Sequence, residues 1–265
     1  MKNEYIPFSS QVKEIIPHTD IEYTFRMSFP EADRVKPGQF FEVSIPKYGE
    51  APISVSGIGE DYVDLTIRRV GRVTNKIFQH YEGNTLLMRG PYGNGFDIEN
   101  FKGKEIVVVA GGTGLSPVKG IVDYFAGRPE EAVSVTLIAG FKSPQDILFR
   151  KDFEQWEKRI HVIRTVDSAP EGYEGLTGMV TKYIPDLPIA DPDNTVFITV
   201  GPPVMIKFTI MEILKRGIKE GNIWISHERK MCCGLGKCGH CKMNDTYVCL
   251  DGPVFNYAES RDLID

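Results

Sequence analysis

A chain of 265 residues with 42% hydrophobic and 25% charged side chains has ordinary globular composition, which excludes collagen-like, coiled-coil and disordered classes, and its length suggests two domains with room for a small appendage. Thirty-one Lys and Arg against thirty-six Asp and Glu leave a net charge of −5, so no global pull toward nucleic acid or anionic lipid is expected. The longest uninterrupted apolar run, 106–110, is far short of the ~18 residues of a bilayer span, and Met1-Lys2-Asn3-Glu4 leads into no signal-peptide stretch; the expected compartment is the cytoplasm.

Residues from about 10 to 100 read as short strands, over 39–45, 53–56, 64–69 and 85–89, punctuated by Pro37-Gly38, Pro46, Gly57, Gly83 and Gly90-Pro91. That spacing predicts a small antiparallel barrel or sandwich. After Gly103 the pattern becomes strand, glycine loop and helix: a strand over 105–110, Gly111-Gly112-Thr113-Gly114, then a helix over 117–125. Further strands are expected over 133–139, 160–165 and 195–200, with helices over 148–159 and 204–216. Strands alternating with helices predict an open parallel α/β sheet. From about 228 the chain turns rich in Cys and Gly and loses its periodicity, as a lobe held by a cofactor would. The expected domains are 1–100, 101–227 and 228–265.

All five cysteines lie between 232 and 249. An odd number so clustered fits a metal or cofactor site in a reducing compartment better than a disulfide scaffold. Cys233, Cys238, Cys241 and Cys249 form C-x4-C-x2-C-x7-C, whose first part has the plant-type [2Fe-2S] spacing. Gly234, Gly236 and Gly239 leave the loop free to fold tightly and aim N–H groups at sulfur. Four thiolates also suit tetrahedral zinc, although zinc sites usually present two short Cys pairs. Cys232 is expected to be a small buried filler, and His240 a spacer.

Gly111, Gly112, Thr113 and Gly114 lie where a strand feeds a helix, a place where backbone amides accept a phosphate, although Pro117 stands where the dinucleotide fingerprint has its third glycine. Gly201-Pro202-Pro203 repeats the arrangement after another strand. Two such strand ends on one sheet would frame a dinucleotide crevice.

These segments together resemble the ferredoxin-reductase family of flavoproteins. Ala51-Pro52-Ile53-Ser54 resembles its flavin motif, the stretch from Arg68 to Thr74 its flavin-phosphate turn, and Gly90-Pro91-Tyr92-Gly93-Asn94-Gly95-Phe96 its hinge. The nicotinamide half follows with 110–117, 146–149 and 201–205. The end of the chain, from Cys249 to Phe255, is similar to the electron-transfer subunits of dihydroorotate dehydrogenase and their relatives. Within that group, 18–25, 50–56 and 230–234 most closely resemble the B subunits of anaerobic sulfite reductases, whose neighbouring relatives are sulfhydrogenase gamma subunits.

The resemblance implies an FAD-binding β-barrel, an NAD(P)-binding α/β domain and a [2Fe-2S] lobe. FAD contacts are then expected from Pro52, Ile53, Ser54, Arg68, Gly71, Val73 and Thr74, with Ser54 near the flavin's reactive edge. Ala51 departs from the motif's usual Arg, so Arg68, Arg69 or Arg72 is expected to supply that charge. Tyr92 and Phe96 either cover flavin surface or pack between domains. Lys142 is a candidate for the nucleotide ribose, and NADH is expected over NADPH because no Arg pair follows that strand end.

A nicotinamide gives up two electrons at once and an iron–sulfur cluster takes one, so a flavin belongs between them. The expected role is electron transfer from NADH through FAD and a [2Fe-2S] cluster, with no catalytic nucleophile or base. The recipient would be a sirohaem-type catalytic subunit reducing sulfite to sulfide, with a ferredoxin-like iron–sulfur subunit beside it. The same chemistry serving dihydroorotate dehydrogenase or a hydrogenase is the alternative, and a zinc-stabilised binding module is the alternative from another class.

Overall fold

The computed structural model describes residues 3–80 and 84–263. The chain divides into two compact units, one taking residues up to Phe96 together with His227–Pro253, the other Asp97–Ser226 together with the stretch from Val254 onward. The cysteine loop thus belongs to the first unit, and the residues that follow it belong to the second.

The first unit is a closed antiparallel barrel in the order β1-β2-β5-β4-β3-β6, built from Phe8–Pro17, Glu22–Ser28, Tyr62–Arg68, Gly49–Ile58, Phe40–Ile45 and Thr85–Tyr92. Alternation along each strand sends one set of side chains inward. On β3, Phe41, Val43 and Ile45 enter a core shared with Phe25, Met27, Leu65, Ile67 and Met88, while Phe40, Glu42 and Ser44 point outward and are nonetheless buried. A helix the sequence pattern did not reveal, α1 (Arg72–His80), follows β5 and buries Ile77 in the same core.

The second unit is a sheet in the order β10-β9-β8-β7-β11-β12-β15. Its strands are Leu176–Thr177, His161–Val166, Ser134–Phe141, Glu105–Gly111, Thr195–Val200, Ile223–Ser226 and Val254–Asn256, while β13 (Lys242–Met243) and β14 (Thr246–Tyr247) pair with each other in the cysteine loop. Neighbours are parallel except for β12 and β15, which run antiparallel. Its longer helices are α2 (Leu115–Gly127), α3 (Arg150–Trp156) and α4 (Pro203–Lys215). α4 packs Ile206, Ile210 and Ile213 against Val107, Val109 and Phe197. The sequence pattern starts α3 two residues early, because Phe149 adopts a left-handed conformation (φ 52°) that the helix cannot include, while Ile147, Leu148 and Phe149 are anchored in the interior.

The chain leaves β7 toward β8 and β9 and returns to β11 on the other side of β7. That reversal opens a crevice at the carboxyl ends of β7 and β11, where doubly wound sheets bind nucleotides.

Candidate functional site

β7 and β11 pair in parallel with Ala110 opposite Val200, so the loops that leave them begin side by side. They are packed tightly. A Cβ on Gly114 would stand 2.6 Å from the Val200 carbonyl oxygen, and one on Gly111 would stand 2.4 Å from the Met205 sulfur. Gly201 is crowded the same way, 2.5 Å from Met205 Cε. Gly114, which meets backbone, therefore lets the two loops approach, Gly111 and Gly201 meet the flexible end of Met205, and Gly112 has a positive φ of 55° and open space where its side chain would be. Thr113 and Pro202 complete the two loops at the mouth, with Thr113 half-buried and Pro202 exposed. The α2 N-terminus begins at the first loop and that of α4 at the second, so the positive ends of both helix dipoles lie at the switch point. Lys142 is exposed just beyond the end of β8.

In the barrel, Ile53 of β4 turns into the core, while Pro52 and Ser54 point outward and are half-buried. The Thr74 hydroxyl accepts hydrogen bonds from the Val70 and Gly71 amides at 3.1 and 2.9 Å, closing the turn that starts α1. Val73 packs its side chain against the barrel core. The three candidate arginines differ in setting. Arg68 pairs with Glu22 at 3.1 Å, Arg69 lies over the Phe78 ring, and Arg72 donates to the Lys47 carbonyl at 3.2 Å.

The cysteine loop is built around its sulfurs. The Leu235 and Lys237 amides each donate to Cys233 Sγ at 3.4 Å, the Gly236 amide to Cys249 Sγ at 3.2 Å, and the Cys249 amide to Cys241 Sγ at 3.5 Å. Burial pushes the Cys233 thiol up, but those amide bonds outweigh it and hold the thiol below its ordinary value. The His240 amide does the same for Cys238, while burial pushes Cys249 up to about 12. Cys233, Cys241 and Cys249 are buried and Cys238 is exposed.

The thiols associate two by two, Cys233 with Cys238 and Cys241 with Cys249. Among the described residues, no three His, Cys, Asp or Glu side chains gather about a single ion-sized position. Thiols whose sulfurs accept backbone amides suit a cysteine-ligated iron–sulfur cluster, whose negative charge those amides would stabilise.

Cys232 is exposed rather than buried, because its backbone is what the protein holds: the Cys232 carbonyl accepts from Arg89 Nη2 at 2.8 Å. The same guanidinium donates to the Cys233 carbonyl, to Glu50 at 2.9 and 2.7 Å, and to the Tyr92 hydroxyl at 3.2 Å. Its hydrogen bond holds the Glu50 carboxyl below the usual range. Tyr92 is committed to packing. Its ring lies beside Phe40 and its hydroxyl donates to the Glu4 carbonyl at 2.6 Å. That ring also fills the space beside Gly234, whose φ is 73° and whose Cβ would stand 2.6 Å from Tyr92 Cδ2. Phe96 is fully buried. Sequence reasoning singled out neither Arg89 nor Glu42, which lies outward on β3 with both carboxylate oxygens lacking a hydrogen-bond partner and with its pKa pushed by burial up to about 7.

Comparison with known proteins matches residues 108–210 to the oxidoreductase NAD-binding domain and residues 228–260 to the iron–sulfur cluster binding domain of dihydroorotate dehydrogenase B. Sulfhydrogenase 1 subunit gamma of Pyrococcus furiosus is 34% identical, over 96% of this chain and 92% of its own. The probable dihydroorotate dehydrogenase B (NAD(+)) electron transfer subunit of the same organism is 33% identical, over 88% of this chain and 83% of its own. Among solved structures, the NADH-dependent reduced ferredoxin-NADP oxidoreductase shares the fold with a TM-score of 0.79 at 23% identity, covering 94% of this chain and 88% of that one. With a nucleotide crevice in one unit and paired thiols in the other, the chain belongs to the ferredoxin-reductase-like FAD- and NAD-binding oxidoreductases that carry the dihydroorotate dehydrogenase B iron–sulfur domain, the family of the sulfhydrogenase gamma and dihydroorotate dehydrogenase electron-transfer subunits.

Proposed function

We propose that this chain is the electron-input subunit of a larger complex, taking electrons from NADH and passing them through FAD and a [2Fe-2S] cluster to a separate catalytic subunit. The observation that carries the proposal is the cysteine loop: four thiols, each with a backbone amide aimed at its sulfur, in a chain whose other unit matches an NAD-binding domain. When bound, the flavin exchanges electrons in pairs or singly and the cluster carries them one at a time.

The chain's own residues bind, orient and insulate. Gly111, Gly112, Thr113, Gly114, Gly201 and Pro202 line the nucleotide crevice, where the N-termini of α2 and α4 receive the pyrophosphate. Pro52 and Ser54 present the outer face of β4 to the flavin. Ile53, its side chain in the core, contributes backbone only, as does Val73. The turn of Gly71 and Thr74 and the start of α1 receive the flavin phosphate, with Arg68 and Arg72 supplying charge near it. Cys233, Cys238, Cys241 and Cys249 hold the cluster.

The catalytic partner is best matched to the hydrogenase or dihydroorotate dehydrogenase kind, since relatives at 34% and 33% identity are subunits of such assemblies. A sulfite-reducing partner is a second reading, favoured by the segments 18–25, 50–56 and 230–234.

A visible spectrum of anaerobically purified protein tests the electron path: flavin and iron–sulfur bands should both bleach on adding NADH. A colourless protein holding zinc would refute it. Anaerobic affinity purification from the native cell, followed by assays for hydrogen, dihydroorotate and sulfite turnover, identifies the partner.

A further inference from the structure

Arg89 is buried, with only 4% of its side chain exposed, yet it carries a fixed positive charge in the body of the barrel unit. Every donor direction of its fork is occupied. Two go to the Glu50 carboxylate, one to the Tyr92 hydroxyl, and two to the carbonyls of Cys232 and Cys233, 143 and 144 residues away in sequence. The Ser44 hydroxyl donates to the same Glu50 carboxylate at 2.6 Å. Glu50 immediately precedes Ala51-Pro52-Ile53-Ser54 on β4, so one guanidinium joins the strand of the proposed flavin motif to the peptide that carries a proposed cluster ligand.

We infer that Arg89 is a positioning residue for the iron–sulfur cluster, and that the Arg89–Glu50 pair sets the cluster's reduction potential through the Cys232–Cys233 backbone. This rests on the proposed function, in that Cys233 must be a ligand. Each one-electron reduction adds a negative charge to the cluster. A buried cation bonded to the ligand's own carbonyl stabilises that charge, and the partly exposed Glu50 carboxylate paired with it opposes it. A lysine at 89 keeps the charge but not the fork that reaches both carbonyls and Glu50 together.

The test is a mediated redox titration of the full chain, purified anaerobically with its cofactors, in which the cluster's electron paramagnetic resonance signal gives the potential and iron and sulfide are assayed in parallel. Arg89→Gln should make the reduced cluster about tenfold less favoured, ~59 mV more negative for one electron. Arg89→Lys should fall between that variant and the wild type. Glu50→Gln leaves the cation uncompensated and should shift the potential the other way. Opposite signs for the two neutral variants are something loss of packing alone would not give.

Unmoved potentials in iron-replete Arg89→Gln and Glu50→Gln would overturn the inference while leaving the proposed electron path intact. Should Arg89→Gln lose its iron, the upward shift in Glu50→Gln decides, and a downward or absent shift refutes the inference. Loss of iron from both would mean that the pair merely holds the loop in place, and also overturns it. A wild-type protein free of iron and sulfide would instead remove the proposed function.

Discussion

Replacing Glu42 by Gln should stabilise the protein at alkaline pH and leave it little changed in acid. Glu42 is fully buried, neither carboxylate oxygen has a hydrogen-bond partner, and burial pushes its pKa from 4.5 up to about 7. A carboxyl that holds its proton more tightly when folded than when unfolded costs nothing below the unfolded value, costs progressively more as pH rises toward the folded value, and reaches a constant penalty above it. Between 4.5 and about 7 that penalty accumulates to roughly 3 kcal/mol. Because part of it is already present at pH 5.5, linkage leaves ~2 kcal/mol to develop between pH 5.5 and 8.5. Gln stays neutral throughout, so the advantage of the variant over wild type should grow by that amount across the range. Urea unfolding of the full cofactor-free chain, with barrel peptides followed by pulsed hydrogen exchange, measures the difference for the unit concerned. An advantage that stays flat or shrinks as pH rises would refute the assignment of Glu42 as a carboxyl that is neutral when folded.

Gly234→Ala drives a methyl group into the Tyr92 ring at a left-handed position, a local cost of about 2–4 kcal/mol, and should lower the iron-to-protein ratio on purification without unfolding the sheet. Gly114→Ala meets the Val200 carbonyl, so it should cost about 1–3 kcal/mol in thermal unfolding and weaken NADH binding measured by titration calorimetry. Cys249→Ser should sharply reduce one-electron delivery to an external acceptor while stopped-flow reduction of the flavin by NADH continues; equal loss of both would count against the proposed order. Burial works against ionisation of Glu105, but the Thr195 hydroxyl and the Asp191 and Ala190 amides outweigh it and hold the carboxyl below the usual range. Its contribution to stability is therefore present at neutral pH and lost as pH falls through the carboxylate range, and Glu105→Gln should cost about 1–3 kcal/mol at pH 7 and less in acid.

The cysteine-rich lobe could be read from spacing because a shared cluster would constrain how far apart its thiolates stand, and the glycine loops because two chain reversals must pass one another at the switch point. The strand over 195–200 matches to the residue, its six positions all being buried and none needing a polar face. α1 escaped notice because only Val73, Ile77 and Phe78 mark its apolar side, within a stretch whose arginines and Thr74 already suggested a phosphate turn. Arg89 and Glu42 each follow ordinary strand alternation, and what makes them unusual comes from other strands and, for Arg89, from a loop 144 residues away. Cys232 departs from its expected burial for the opposite reason: apolar character suggests burial, whereas its carbonyl is the anchored group and the thiol is left outside.

Ser226, where β12 ends, is paired across the sheet with Val254, where β15 begins. The whole cysteine-bearing excursion therefore starts and finishes at two adjacent points clasped by hydrogen bonds, so its closure costs the same chain entropy whether metal is present or not. Stripping the metal should then unravel the excursion alone, a reversible local melting that leaves the nucleotide half folded and able to bind NADH. A segment anchored like this can be lost, gained or exchanged at a single junction without re-threading the sheet that carries it.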